Sequence, residues 1–165
     1  MAFVRKLSDV IYSIERVLIA VIMSLMLIVV ILGVVFRYVL KTPLVWSEEY
    51  AIFALLWLTF LGGSMTIKKN KAASITLFMD KLPAKARKLL LRLSFLLCLL
   101  FCAFALYLAL QWITNPITLS HKSATTSLPM FIPYMAIPIG FACMIIHFAN
   151  LLFMGEPNQS SEETL

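Results

Sequence analysis

Four long runs without a strongly charged side chain occupy most of the chain, at residues 17–36, 50–67, 93–120 and 123–155. A helix needs about 20 apolar residues to cross the hydrocarbon core of a bilayer. A helix also satisfies every backbone hydrogen bond within itself, which open strands and loops cannot do without water. The pattern therefore predicts an all-α integral membrane protein with four transmembrane helices, over about 17–39, 46–67, 90–118 and 129–152. They make one membrane domain over residues 1–155, and residues 156–165 form a polar acidic tail.

Two flanking segments carry a different pattern. Val4, Leu7, Ile11, Ile14 and Leu18 recur every three or four residues, with Arg5, Lys6, Asp9, Ser13 and Arg16 on the other face. That is an amphipathic helix, suited to lying in the cytoplasmic interface or to extending the first span. Lys85, Lys88 and Arg92 form a second polar stripe opposite Ala86 and Leu89, which predicts another interfacial helix. Between the spans, Pro43 breaks the first hairpin, and Ser47 with Glu48 and Glu49 supplies a helix start near Trp46. Gly62 and Gly63 place small residues where helices can approach closely. A third helix continuous over residues 89–117 would exceed about 40 Å, so it must tilt or protrude. Pro129 and Pro133 suit the opening of the fourth helix, and Pro138 should kink it.

Charge then orients the chain. Eight of the fourteen basic residues fall in one connection, at Lys68, Lys69, Lys71, Lys81, Lys85, Arg87, Lys88 and Arg92. Arg5, Lys6 and Arg16 share that side, and only Arg37, Lys41 and Lys122 fall on the other. The positive-inside rule places both termini and the basic connection in the cytoplasm, an N-in/C-in topology. Lys68, Lys69, Lys71, Lys85, Lys88 and Arg92 are also placed to meet anionic phospholipid headgroups. This explains the net charge of +6 without nucleic acid. A composition of 62% hydrophobic and 13% charged residues, with mean hydropathy +0.96, excludes soluble globular classes. The first apolar run is too long for a cleaved signal, and no small-residue cleavage pattern ends it.

Candidate chemistry is sparse. The middle of every predicted span lacks Asp, Glu, Lys and Arg, which argues against a self-sufficient ion-coupled carrier. His147 is the one imidazole inside a span, and a structural hydrogen bond is the expected role. Cys98, Cys102 and Cys143 lie within spans and show no metal-ligand spacing. No nucleophile–base pair or phosphate loop appears, so the expected protein is not an enzyme and carries no cofactor. The most informative polar group is Arg37 with Glu48 and Glu49, at the facing outer ends of the first two helices. It predicts an ion pair that fixes the outer hairpin and leaves one Glu for another contact.

Several ordered motifs then carry a resemblance. Phe36-Arg37-Tyr38-Val39, Pro43-Leu44-Val45-Trp46-Ser47-Glu48-Glu49, Leu58-Thr59-Phe60-Leu61-Gly62-Gly63, Leu82-Pro83 and Ile137-Pro138-Ile139-Gly140 follow one another along nearly the whole chain. In order and spacing they resemble the small, DctQ-like membrane subunit of tripartite ATP-independent periplasmic (TRAP) transporters. The resemblance implies a scaffold in the bacterial inner membrane, beside a large multi-span subunit that binds sodium and substrate. A periplasmic substrate-binding protein delivers organic acids to that assembly. It implies no sodium or substrate site in this chain, and structural or interaction roles for Arg37, Trp46, Glu48, Glu49, Gly62, Gly63 and Pro138. A free-standing four-helix transporter and a structural membrane assembly protein share the composition but not the ordered motifs.

Overall fold

The computed structural model describes residues 2–69 and 84–154. In chain order the helices are α1 (Ala2–Tyr38), α2 (Val45–Lys68), α3 (Ala84–Ile113), α4 (Pro116–Ser120), α5 (Phe131–Tyr134) and α6 (Ala136–Met154). Four stretches are long and apolar enough to cross a membrane: Val4–Tyr38, Val45–Lys68, Leu89–Ile113 and Phe131–Leu152. The expected acidic tail at 156–165 and Lys71 fall outside the described residues, as does most of the basic connection.

Neither segment expected as an interfacial helix stands apart. The α1 helix runs unbroken for 37 residues, about 55 Å, because no Pro or Gly interrupts it before Gly33. The second segment is the first part of the 30-residue α3, which starts directly after Pro83. The third span stops earlier than expected. Asn115 accepts the backbone N–H of Ile117 at 3.0 Å and Pro116 opens α4, so an Asn-Pro pair caps a new short helix instead of letting α3 run on to residue 118. In the fourth span the helix is interrupted at Met135, between α5 and α6. Pro138 accounts for that position, because its ring nitrogen has no hydrogen to give the carbonyl of Tyr134.

Packing makes a row: α1 lies on α2, α2 on α6, and α6 on α3. A lesser contact joins α1 to α6. Two close approaches set the row. A Cβ on Gly33 would lie 2.6 Å from Ser47 Oγ, and one on Gly140 would lie 2.5 Å from Phe60 Cβ, so α1–α2 and α2–α6 meet where side chains are absent. Phe60 packs edge-on to Phe141 at 5.6 Å, and Phe95 meets Phe148 at 6.5 Å, which ties α6 to both neighbours. The buried apolar residues, among them Leu61, Phe95, Cys102, Ala109, Ala136 and Leu151, come from α2, α3 and α6. None comes from α1.

In the amino-terminal part of α1 the inward stripe is Val4, Ser8, Ile11, Tyr12 and Glu15, while Arg5, Lys6, Asp9, Ser13 and Arg16 stay exposed. Leu7, Ile14 and Leu18 point outward, at 39%, 54% and 41% exposure, while Ser8 and Glu15 are buried. The reason is the solvent. Lipid accepts apolar side chains at no cost, so Leu7, Ile14 and Leu18 can stay outside while Ser8 and Glu15 gain by meeting other polar groups inside the protein.

Candidate functional site

Polar contacts gather at the two ends of the row. At the loop end, Lys41 adopts a left-handed backbone (φ 54°), and Thr42 N–H closes onto Phe36 O at 3.1 Å. This turn brings Arg37 in the last turn of α1 against Glu48 in the first turn of α2, and the two form an ion pair. Both side chains are more than half exposed. Glu49 does not join them: it accepts a hydrogen bond from Thr126 Oγ1 at 3.2 Å, docking the loop before α5 onto α2. That loop is shaped by Ser123, whose hydroxyl accepts the N–H groups of Thr125 and Thr126. Trp46 lies edge-on to Tyr50 at 5.8 Å, beside a shallow cleft that also includes Pro43, Thr125 and Thr126.

An exposed pair of this kind is worth less than about 1 kcal/mol, so its charge should matter modestly. Arg37→Glu is expected to lower the yield of folded chain after detergent extraction by roughly two- to fivefold. Adding Glu48→Arg should restore part of the loss, whereas adding Glu49→Arg should not, because Glu49 faces Thr126. Equal yields for wild type and Arg37→Glu would remove the pair from the account of the hairpin.

Other motif residues separate by position. Gly63 faces α6, where an added Cβ would lie 2.9 Å from Met144 Cε, but Gly62 has nothing within 4 Å. Pro138 is buried in the first turn of α6. Of the basic residues, Lys69 stands over the Tyr12 ring at 5.9 Å and Arg92 is exposed. Lys85 and Lys88 lie on α3, with their side chains outside the described set.

Lys68 turns inward. At 17% exposure it donates to Asp9 Oδ1 and to Ser8 Oγ, both at 2.7 Å. Ser8 Oγ lies 2.8 Å from His147 Nδ1, and His147 Nε2 lies 3.2 Å from Glu15 Oε2. The result is a continuous polar line through α2, α1 and α6, in which Ser8 and His147 are fully buried and Glu15 is 2% exposed. His147 is therefore hydrogen-bonded on both ring nitrogens. Lys68 belongs to this line as well as to the basic side of the chain.

Ser8 and Glu15 were not singled out by the sequence pattern. They stand seven residues apart, two helical turns, and continue the stripe of less exposed α1 positions Ile19, Ile22, Met26, Val29, Gly33 and Phe36. That stripe is one of exposure, set by the partner helices, and its residue types share no pattern that marks it out along the chain.

Comparison with known proteins agrees with this architecture. Residues 26–155 match the family described as tripartite ATP-independent periplasmic transporters, DctQ component. The chain is similar to the C4-dicarboxylate TRAP transporter small permease protein DctQ of Vibrio cholerae, 26% identical over 161 residues, covering 84% of this chain and 69% of that protein. It is also similar to the sialic acid TRAP transporter small permease protein SiaQ of the same organism, 34% identical over 83 residues, 50% of this chain and 48% of that one. A third relative is the isethionate TRAP transporter permease protein DctMQ of Oleidesulfovibrio alaskensis, 28% identical over 102 residues, 62% of this chain. The match spans only 16% of that longer protein. The family match takes in the two hairpins and the polar contacts of the loop end, and together with the four membrane helices it shows that the chain belongs to the DctQ family of TRAP transporter subunits, multi-pass proteins of the bacterial inner membrane and not a family of enzymes.

Proposed function

We propose that this chain is the static scaffold subunit of a sodium-coupled transporter that imports organic acids, supporting a large transport subunit and holding no sodium or substrate site of its own. The observation that carries the reading is the outward face of α1. Within its most apolar stretch no residue is buried inside the chain, and Val17, Val21, Met23, Leu25, Leu27 and Ile28 are each 50–64% exposed. An end member of the row that turns one long apolar face outward offers a broad apolar wall to a partner within the membrane. The DctMQ relative supports the same arrangement, since a segment like this chain stands there within a much longer permease polypeptide.

The basic end faces the cytoplasm on this reading, where its lysines and arginines meet phospholipid headgroups. The loop end, with Trp46 and the Glu49–Thr126 contact, faces the periplasm and a substrate-binding protein there. Sodium is bound by the partner subunit. The names of the relatives, for C4-dicarboxylates, sialic acid and isethionate, are those of organic anions and set the class of cargo.

The test is affinity purification of the chain, tagged at its carboxyl terminus, from native membranes in mild detergent, followed by uptake in vesicles containing what is recovered. A large multi-span subunit in near-equal amount, with uptake that needs sodium and a periplasmic binding protein, is the expected result. The tag should also be shielded from protease added to intact spheroplasts. Recovery of the chain alone, or only with copies of itself, would defeat the scaffold reading.

A further inference from the structure

The polar line at the basic end has a charge count that a scaffold does not require. Lys68 is neutralised by Asp9 at 2.7 Å. Among the described residues this leaves Glu15 with the His147 imidazole, 3.2 Å away, as its ionic partner. If that ring is neutral, one full negative charge remains inside the protein, on a carboxylate that is 2% exposed. A buried charge without a compensating charge is among the costliest arrangements in a protein interior. A single proton removes it, whether carried by the ring or by the carboxyl group.

Among the described residues no other counter-charge meets Glu15. Among the described residues neither Glu15 Oε1 nor the buried hydroxyl of Ser64 on α2 has a hydrogen-bond partner. The contacts of Lys68 with Ser8 and of Lys69 with the Tyr12 ring fix the antiparallel register of α1 and α2, which sets Ser64 at the height of the α1 turn containing Glu15. From α6, the titratable neighbour of Glu15 is the Cys143 thiol. From α3, which packs on α6, the contact is Phe95 against Phe148; its titratable groups in that stretch are Cys98 and Cys102, and Arg92 is exposed. Arg5 and Arg16 of α1 are exposed too.

We propose that Glu15 and His147 form a buried proton-binding site, sharing one proton at neutral pH where α1, α2 and α6 meet. The proton belongs to the pair and not to either residue. Ser8 orients the ring through Nδ1, and Lys68 with the half-exposed Asp9 carries the hydrogen-bonded line to the surface, so the site exchanges with water at the basic end. It is not a path across the membrane, since residues 17–36 of α1 carry no ionisable side chain. Its consequence is local: loss of the proton leaves a charge in the joint of three helices and loosens it, which makes the packing of α1 sensitive to pH on that side.

The inference rests on this geometry alone, and its test needs neither partner nor substrate, so its outcome is separate from that of the scaffold reading. The full chain, labelled with 15N-histidine and 13C-glutamate, is examined in lipid nanodiscs by NMR at about pH 7. Exposed His121 serves as the reference ring, and the Glu15 signal is assigned by its loss in Glu15→Gln. The expected result is one proton on the pair, seen as an imidazolium with a carboxylate or as a neutral ring with a carboxylic acid. A neutral ring beside a carboxylate overturns the proposal, and so does an imidazolium beside a carboxylic acid. In Glu15→Gln the pair no longer needs the charge, so His147 is expected to be neutral at the same pH; a persisting imidazolium would place the proton with another partner and overturn the pairing.

Discussion

His147→Ala is expected to be among the most destabilising single substitutions in the chain. The ring is fully buried and holds Ser8 on one nitrogen and Glu15 on the other. Removing it strands the Glu15 carboxylate, whose second oxygen already lacks a partner. Breaking a buried pair in this way costs on the order of 3–5 kcal/mol, most of it the penalty of the charge left behind. The sign reverses when both members go. In Glu15→Leu with His147→Leu, two apolar side chains replace the pair, and such replacements are often neutral or stabilising. Thermal unfolding of the two variants and the wild type in the same detergent separates the possibilities. The expected order puts His147→Ala far below wild type and the double variant close to it. A double variant as unstable as the single one would mean that shape, and not stranded charge, gives His147 its importance.

This prediction also marks where the sequence is hard to read. The four spans are legible because lipid imposes one rule, about 20 apolar residues without charge, and the chain obeys it four times. Arg37 and Glu48 are legible as a pair because the short connection with Pro43 leaves them at facing helix ends. Glu15 is different. It precedes Arg16, which closes the apolar run, and so it reads as one more charge on the polar face of an amphipathic segment. On a soluble helix the apolar face is the buried one, and that habit points Leu7, Ile14 and Leu18 inward. Against lipid those side chains can stay outside, and only the partners on α2 and α6, 60 and 139 residues from Ser8, show which face is inside. No local pattern contains that distance. The break at Asn115-Pro116 is the opposite case, a local capping signal submerged in a long apolar run.

The second large effect is steric and sits at Gly140. A Cβ there would lie 2.5 Å from Phe60 Cβ and 3.1 Å from its Cγ and Cδ1. Phe60 cannot swing clear at low cost, because its Cβ is fixed to the α2 backbone and its ring packs on Phe141. The helices must therefore part, and overpacking of this kind costs about 1–3 kcal/mol for Gly140→Ala and more for Gly140→Leu. Gly62→Ala is the matched control. It lies on the same pair of helices with nothing within 4 Å, so the gain in helix propensity, up to about 1 kcal/mol, is not opposed within the chain. Adding Phe60→Ala to Gly140→Ala should recover part of the loss, since the obstructing ring is gone and the two sites are in contact. Stability of the purified chain by thermal unfolding should therefore rank Gly62→Ala above Gly140→Ala. If the two glycine variants behave alike, the α2–α6 crossing is looser than its geometry indicates. Because Lys68 reaches Ser8 from α2 and His147 reaches it from α6, parting these two helices also pulls on both ends of the polar line. A steric change two turns away from His147 is thus expected to weaken the same joint that holds the buried carboxylate.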